Sequence, residues 1–132
     1  MSECVVAVLT PEGIPLALNR SKPEFPPYWM LPGRKSVEGE LPKRCAVRAL
    51  QEVTGICLEA PQDVCFVASR RSSDQILFGF RANLAEVPAG ILEVGSEGEE
   101  IVFFSLVELG QMMASGDKIF SDHIPIIAAA LK

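Results

Sequence analysis

The sequence predicts a single α/β domain, of α+β character, in which a mixed β-sheet lies between helices. Length is the first observation, because 132 residues suffice for one domain and are too few for two ordinary ones. Composition is the second: 48% of the residues are hydrophobic and 22% are charged, which is typical of a chain that folds around an apolar core. The third is that strand-like and helix-like segments alternate along the chain. We therefore expect one domain over residues 1–132.

The first elements of the chain are predicted to form a β-hairpin. Residues 4–10 are a continuous apolar run rich in valine, which is typical of a strand buried on both faces. A turn at residues 11–13 leads into an alternating pattern at 14–19, which indicates a second strand. Three prolines within residues 21–27 predict a loop, and a short apolar segment follows at 29–31.

The clearest helix is predicted over residues 41–54. Pro42 suits the first turn of a helix, and Gly55 suits a C-terminal cap because glycine readily adopts left-handed backbone angles. The apolar residues between them recur at helical spacing and share one face, which we expect to pack on the sheet. They are Cys45, Ala46, Ala49, Leu50 and Val53.

Two further strands and an irregular connection are predicted in the middle of the chain. Residues 64–69 and 76–84 have strand character, and the polar residues 70–75 between them predict a turn. One proline and three glycines indicate that residues 85–98 form a long irregular connection.

The C-terminal part predicts one strand and two helices. Residues 101–104 form a short apolar strand. The segment 105–108 has the spacing of a capping box, which predicts a helix near 106–114. A final helix over residues 121–130 is expected to be capped by its first two residues, a serine and an aspartate.

Net charge and sorting signals limit the classes of partner. The formal net charge is −5, which argues against a nucleic-acid backbone as the main partner because phosphate contacts need a basic surface. Residues 20–81 are nevertheless mildly basic, with ten bases and seven acids. The sequence has no N-terminal leader pattern and no run of about 18 apolar residues. We therefore expect a cytoplasmic domain with no membrane partner.

The four cysteines and the single histidine are expected to be structural. Cys4, Cys45, Cys57 and Cys65 each lie in an apolar stretch and form no C-x-x-C pair. We interpret them as small buried hydrophobes in a reducing compartment. A zinc site is not indicated, because His123 is the only histidine and lies far from them in sequence.

Residues 33–56 contain a motif that spans the predicted helix and the loop before it. They read Gly-Arg-Lys-Ser-Val-Glu-Gly-Glu-Leu-Pro-Lys-Arg-Cys-Ala-Val-Arg-Ala-Leu-Gln-Glu-Val-Thr-Gly-Ile. This segment resembles the Nudix box, G-x5-E-x7-R-E-U-x-E-E-x-G-U, in which U is a bulky apolar residue. The matching residues are Glu40, Arg48, Leu50, Glu52, Gly55 and Ile56. The segments 18–20 and 103–109 also resemble the family, so the likeness covers nearly the whole chain.

The resemblance implies a Nudix-like α/β/α sandwich and a pyrophosphohydrolase of nucleoside diphosphates linked to another moiety. Such enzymes cleave a diphosphate by attack of water, and Mg²⁺ or Mn²⁺ neutralises the phosphate oxygens and activates that water. The implied partner is a nucleotide or another diphosphate-containing small molecule, and family members often form homodimers. The same resemblance leaves two roles open for Glu52, which is either a metal ligand or catalytic base or a purely structural partner of Arg48. It also places Glu40 and Arg48 in the catalytic site, where their contact fixes the loop against the helix.

Three positions depart from the motif, and all three matter for metal binding. The first glycine of the box is Arg34, and two of the three helical glutamates are replaced by Ala49 and Val53. Their spacing puts the three glutamate positions on one side of a helix, and magnesium-type sites usually need more than one protein carboxylate. Glu38 in the loop is a candidate substitute metal ligand beside Glu52.

Two classes of function therefore stay open. The first is a hydrolase with weak or altered activity, in which Mg²⁺ or Mn²⁺ occupies a rearranged site; the retained Glu40, Arg48 and Glu52 favour it. The second is a nucleotide-binding or protein-interaction module that has lost hydrolysis and needs no metal cofactor. The departures from the motif at Ala49, Val53 and Arg34, taken together, favour the second class.

Four residues are candidate substrate contacts, two of them within the motif and two before it in the chain. Arg34 and Lys35 stand where the family places phosphates, so either a cation there partly replaces the charge of a metal or the loop is solvated. Arg20 lies where the family often contacts substrate, although arginines at strand ends are more often solvated. Trp29 either packs in the core or stacks on a base.

The acidic run of Glu97, Glu99 and Glu100 also has two interpretations. A solvated charge run is the more common structure for such residues. Some Nudix enzymes take a catalytic base from a later loop, and this run is the candidate for that role here.

Overall fold

The computed structural model describes residues 2–19, 27–58, 63–72, 74–116 and 118–132. These residues contain seven strands and three α-helices. The strands are β1 (Ser2–Leu9), β2 (Ile14–Asn19), β3 (Trp29–Met30), β4 (Gly33–Lys35), β5 (Cys65–Ser72), β6 (Gln75–Asn83) and β7 (Glu99–Phe104). The helices are α1 (Pro42–Thr54), α2 (Leu106–Ser115) and α3 (Ile124–Ala130).

The strands form two sheets. A mixed four-stranded sheet has the order β4-β1-β6-β5, in which β1 and β6 are parallel and the other neighbours are antiparallel. A second sheet is antiparallel throughout and has the order β3-β2-β7. The predicted α/β class with a mixed sheet is confirmed. The division into two sheets is a feature that the local sequence patterns did not indicate.

Strand β1 lies inside the mixed sheet and is buried on both faces, as predicted. Cys4, Val6 and Val8 pack in the cluster that contains the apolar face of α1. Val5 and Ala7 point the other way, into the cluster that contains residues of α3. All five side chains are at most 1% exposed. The mixed sheet therefore lies between α1 and α3, and its burial on both faces supplies the main hydrophobic stabilisation of the fold.

Helix α1 carries most of the motif and has the predicted ends. It begins at Pro42, and its C-terminal cap is Gly55, which has a φ of 81°. The N–H of Gly55 donates to the carbonyl of Gln51 at 2.9 Å. Because the apolar face of α1 is buried against the sheet, Arg48 and Glu52 project from another side of the helix and line a cavity described below.

Helix α2 begins at the predicted capping box. The hydroxyl of Ser105 accepts from the N–H of Glu108 at 3.1 Å, and the carboxylate of Glu108 accepts from the N–H of Ser105 at 2.9 Å. Among the helices in the described ranges, none has the length and apolar character needed to cross a membrane.

Helix α3 starts differently from the prediction. Residues 121–123 form a 3₁₀ turn, and α3 follows from Ile124 with Pro125 in its first turn. Within this described segment no side chain caps either start, so the predicted cap by Ser121 and Asp122 is wrong. The fixed φ of a proline in the first turn favours the start of a helix without such a cap.

The hairpin of β5 and β6 is longer than predicted. Its strands pair as far as Ser72 and Gln75, so Arg70 and Arg71 belong to β5 and the predicted polar turn over 70–75 is wrong. Strand β5 lies at the edge of the sheet, and both arginines are exposed there. Polar side chains are common on edge strands, so they do not end the ladder.

Two of the four cysteines depart from the predicted burial. Cys4 and Cys45 are buried, whereas Cys57 and Cys65 are exposed, and all four thiols are free. Cys57 follows the buried Ile56, and Cys65 lies on the edge strand β5. Apolar neighbours in sequence do not decide which way a side chain points, because successive residues of extended chain face opposite sides.

Candidate functional site

A cavity of about 420 Å³ is lined by residues of both sheets and of α1. Part of its lining is apolar, formed by Ala17, Met30, Leu31 and Val53. The charged lining comprises the acids Glu3, Glu52, Glu97 and Glu99 and the bases Arg34, Lys35 and Arg48. The cavity therefore brings together two motif residues that match, Arg48 and Glu52, two that depart from it, Arg34 and Val53, and part of the acidic run.

Strand β4 reaches the cavity because Gly33 lets it lie tightly against β1. A Cβ atom at Gly33 would stand 2.5 Å from Cγ1 of Val5 and 2.9 Å from the carbonyl oxygen of Cys4. Any larger residue would push β4 away from its neighbour. The pairing places Arg34 opposite Cys4 and directs the arginine toward α1.

Arg48 and Glu40 form the predicted ion pair between helix and loop. Nε of Arg48 donates to Oε2 of Glu40 at 2.8 Å, and Nη2 donates to Oε1 at 2.9 Å. These bonds lower the pKa of Glu40 to about 2. Nη2 of Arg48 also donates to the carbonyl of Lys35 at 2.9 Å, and the N–H of Val37 donates to Glu40 at 3.1 Å. The pair thus fixes the loop between β4 and α1.

Arg34 is held by three carboxylates. Its Nε donates to Oε1 of Glu52 at 3.0 Å and lies 3.4 Å from Oε2 of Glu97. Its Nη1 donates to Oε2 of Glu99, and its Nη2 donates to the hydroxyl of Ser96 at 2.8 Å. The side chain of Arg34 is only 10% exposed. The alternative of a solvated loop is therefore wrong for Arg34.

The electrostatics of this cluster favour the charged forms. Burial alone would raise the pKa of Glu99, but hydrogen bonds from Arg34 and from backbone N–H groups outweigh it, and the pKa is lowered. Burial alone would lower the pKa of Arg34, but its bonds to Glu99 and Glu52 and the charge of Glu97 raise it. Since Glu99 is only 6% exposed, its charge depends on this partner.

The irregular connection before β7 packs against the C-terminal end of α1 and so positions Glu99 beside Arg34. The N–H of Ser96 donates to the carbonyl of Glu52 at 3.0 Å, and the N–H of Leu92 donates to that of Thr54 at 2.9 Å. These bonds satisfy carbonyls of the last helical turn, which have no partner within the helix. The solvated interpretation of the acidic run is therefore wrong for Glu99, although Glu97 is 50% exposed.

The described residues do not fit a divalent metal ion in this arrangement. Positions 49 and 53 are apolar and buried, with Ala49 at 0% and Val53 at 1% exposure. Oε1 of Glu52 accepts from Arg34 and Oε2 accepts from Arg48, so both oxygens of the remaining helical carboxylate bind guanidinium groups. No group of three or more His, Cys, Asp or Glu residues in the described ranges could hold a metal. Glu52 is nevertheless 36% exposed toward the cavity.

The other predicted site residues lie in different places. Lys35 is exposed and lines the cavity. Glu38 is exposed in the loop but does not line it. Trp29 packs edge-on against Phe104, with ring centroids 5.0 Å apart, and lies outside the cavity lining. Arg20 falls outside the described residues. The roles assigned to these residues stay predictions.

Two residues of the candidate site were not singled out by the sequence. Glu3 lies on β1 and lines the cavity from the mixed sheet. Ser96 bonds Arg34 and belongs to a segment in which Gly95 packs closely, since a Cβ there would stand 2.8 Å from the carbonyl oxygen of Val53. A glycine beside a polar run was the only local signal of that packing.

Comparison with known protein families identifies the fold. Residues 3–126 match the model of the NUDIX domain. The chain belongs to the Nudix family. Among curated proteins, none matches it in sequence.

Solved Nudix structures share the fold at low sequence identity. A bifunctional NMN adenylyltransferase/ADP ribose pyrophosphatase from Francisella tularensis has a TM-score of 0.79 at 20% identity, over 98% of this chain and 40% of its own. A MutT Nudix hydrolase from Burkholderia pseudomallei has a TM-score of 0.75 at 19% identity, over 97% of this chain and 95% of its own. The Nudix domain of Shewanella oneidensis NrtR, solved with ADP ribose, has a TM-score of 0.70 at 16% identity. The match covers 99% of this chain and 86% of the NrtR domain. The chain thus spans about two fifths of the Francisella protein, and identities this low establish the fold alone.

Proposed function

We propose that this Nudix domain binds a nucleotide-type ligand without hydrolysing it by the metal-dependent route. The observation that carries the proposal is the Arg34 guanidinium, which bonds Glu52 and Glu99 and lies beside Glu97. In a metal-dependent site such carboxylates neutralise a divalent ion that contacts the phosphates. Here the chain itself supplies the positive charge, and it supplies one charge where a metal ion supplies two.

The cavity lining supports binding of the neutral parts of a nucleotide. Ala17, Met30, Leu31 and Val53 offer an apolar surface to a base, and carboxylates accept hydrogen bonds from ribose hydroxyls or base amino groups. Lys35 is exposed at the same cavity and offers an ammonium group to a phosphate.

Two related structures support the ligand class. The Shewanella NrtR domain was solved with ADP ribose, and the Francisella enzyme was also solved with AMP and a Mn ion. At 16% and 17% identity, these structures suggest which ligands to test on this chain, but they do not establish that it binds them. AMP and ADP ribose are therefore the first ligands to test.

The direct test is binding and turnover measured on the same samples. We expect AMP or ADP ribose to raise the melting temperature equally in EDTA and in Mn²⁺, and ³¹P NMR to detect no new phosphate species. Lys35→Ala is expected to weaken this stabilisation, whereas exchange of the exposed Lys43 for alanine serves as the matched control. If neither ligand shifts the melting temperature, the binding proposal fails and a protein-interaction role is favoured.

A residual hydrolase is the second candidate, and one observation favours it. Glu52, Glu97 and Glu99 converge on a single group, the Arg34 guanidinium. If a ligand phosphate draws Arg34 away, the carboxylate oxygens that Arg34 now binds become available to Mg²⁺ or Mn²⁺. This candidate requires Mn²⁺-dependent turnover that is lost in Glu52→Gln and retained in Glu86→Gln, an exposed glutamate that does not line the cavity.

A further inference from the structure

The Arg34 guanidinium lines the cavity, but each of its nitrogens has an acceptor within the chain. Nε donates to Glu52, Nη1 donates to Glu99 and Nη2 donates to the hydroxyl of Ser96. Nη1 also donates to the carbonyl oxygen of Gly33 at 3.1 Å. A ligand phosphate therefore has to compete with these acceptors for a side chain that is only 10% exposed.

Arg48 is engaged in the same way. Nε and Nη2 donate to Glu40 at 2.8 and 2.9 Å, and Nη1 donates to Glu52 at 3.1 Å. Nη2 also donates to the carbonyl oxygen of Lys35 at 2.9 Å. Both arginines of the described lining thus hold the site together, and carboxylates balance their charges before a ligand arrives.

Lys35 is the remaining base of the described lining, and its side chain is exposed. It is directly opposite Glu3 in the antiparallel pairing of β1 with β4, and side chains of such pairs lie on the same face of a sheet. Both residues line the cavity. The ammonium group therefore has room for one phosphate, beside a carboxylate that repels a second.

Two carboxylates of the cavity are more accessible than either of its arginines. Glu97 is 50% exposed and Glu52 is 36% exposed, against 32% for Arg48 and 10% for Arg34. The described lining also has one more acid than it has bases, and Glu40 adds another acid beside Arg48. No group of acids in the described ranges could hold a metal ion that would offset this charge. The cavity therefore opposes the entry of a strongly anionic ligand.

We propose that the cavity is specific for a nucleoside monophosphate and discriminates against nucleoside diphosphates and triphosphates. This specificity rests on the proposed nucleotide binding. Lys35 binds the single phosphate, and each further phosphate places negative charge near Glu52 and Glu97. The cavity volume of about 420 Å³ fits a small ligand, since small-molecule sites span about 300–1,000 Å³. AMP is therefore expected to bind more tightly than ADP ribose, which has two phosphates.

The expected discrimination is modest, because the charges interact through solvent. Each phosphate beyond the first adds roughly one negative charge at neutral pH. At about 8 Å from a small net negative charge, and with the dielectric constant of water, one added charge weakens binding about threefold. We therefore expect ADP to bind about threefold and ATP about tenfold more weakly than AMP. Adenosine is also expected to bind more weakly than AMP, because it offers no phosphate to Lys35.

The test is calorimetric titration of the full chain with adenosine, AMP, ADP and ATP. EDTA is present throughout, so that no metal ion screens the phosphates. High salt is expected to reduce the difference between AMP and ATP, because salt screens charges. A longer ligand that is excluded by its size alone would show no such dependence on salt.

Three variants connect the specificity to named side chains. Glu97→Gln is expected to bring the affinity for ATP within about threefold of that for AMP. Glu86→Gln, at an exposed position that does not line the cavity, is expected to keep the wild-type difference. Lys35→Ala is expected to make AMP bind no better than adenosine. A thermal melt of each variant establishes that it is folded.

The contrary results separate this specificity from the proposed function. If ATP binds as tightly as AMP or more tightly, the specificity is wrong and the proposed nucleotide binding is retained. A preference for AMP that changes neither with salt nor in Glu97→Gln would overturn the electrostatic cause. Tighter binding of adenosine than of AMP would overturn the role of Lys35. If none of the four compounds binds, the proposed nucleotide binding and the specificity are both wrong.

Discussion

Arg34 and Glu52 form an ion pair in the lining of the cavity, with Nε of the arginine 3.0 Å from Oε1 of the glutamate. Arg48 binds the other oxygen of the same carboxylate at 3.1 Å. Glu52 is the one retained carboxylate of the helical motif, and both of its oxygens are bonded to cationic groups of the chain itself. The sequence has an arginine at the position of the first box glycine and apolar residues at positions 49 and 53, and the proposed function rests on these departures together.

The two acids on either side of Gly98 are expected to differ in their effect on stability. Glu99 is 6% exposed and Glu97 is 50% exposed, although both lie close to Arg34. Glu99→Gln leaves a buried guanidinium with one partner fewer, so we expect the free energy of unfolding to fall by about 2–3 kcal/mol. Glu97→Gln is expected to cost less than about 1 kcal/mol. Urea denaturation of both variants measures the difference, and equal losses would contradict the assigned burial of Glu99.

His123 is expected to make stability depend on pH. Its Nδ1 accepts from the N–H of Leu31 at 3.0 Å, and burial lowers its pKa to about 4. An unfolded histidine takes up a proton below its ordinary pKa of about 6.5, so the unfolded state binds more protons between those values. The free energy of unfolding should therefore fall as the pH drops, by about 2 kcal/mol between pH 7 and pH 5.

The control for this pH dependence is His123→Asn, which keeps an acceptor for Leu31 but does not titrate. Urea denaturation at pH 7, 6 and 5 is expected to give a flat profile in this variant. Glu40 and Glu99 add little to this pH dependence, because the pKa of Glu40 is about 2 and that of Glu99 is also lowered, so both stay charged above pH 5. A flat profile in the wild-type protein would refute the assigned burial of a neutral His123.

Restoring the lost helical carboxylates is expected to fail while Arg34 is present. Ala49→Glu with Val53→Glu puts two acids at positions that are at most 1% exposed, so we expect a lower melting temperature. Glu52 would remain bonded to Arg34, and no Mn²⁺-dependent cleavage of ADP ribose to AMP and ribose 5-phosphate should be detected by ³¹P NMR. Adding Arg34→Gly is expected to produce that activity.

Three outcomes of this restoration are informative. Activity in the double variant would show that Arg34 does not obstruct a metal ion. Activity only in the triple variant, lost again in Glu52→Gln, would support the assigned obstruction. A folded but inactive triple variant would contradict the expectation above. It would mean that other residues of the cavity, and not only the metal-ligand positions, prevent hydrolysis.

Local sequence signals were sufficient for most of the elements. Pro42 and Gly55 mark the ends of α1, and the capping box marks the start of α2, because each signal acts within a few residues of itself. The valine-rich run identified β1 as a doubly buried strand for the same reason. The ion pair of Glu40 with Arg48 was also predicted, from the family motif and from sequence spacing.

The features that were missed depend on contacts between distant segments. Glu99 was left open between a solvated run and a late catalytic base because its partner, Arg34, is 65 residues away in sequence. Arg34 was left open between a solvated loop and a substitute cation for the same reason. The division of the strands into two sheets and the exposure of Cys57 and Cys65 likewise follow from tertiary packing, which local patterns do not encode.

The central claim is that Arg34 takes the place of a divalent cation, and Mn²⁺ titration by calorimetry tests it most directly. In EDTA, Arg34→Gly should destabilise the fold by about 3 kcal/mol because buried Glu99 loses its partner. Mn²⁺ is predicted to bind this variant saturably and restore part of the lost stability, while the wild-type protein and the exposed-site control Arg71→Gly bind none. Saturable Mn²⁺ binding by the wild-type protein, unchanged in Arg34→Gly, would contradict the account.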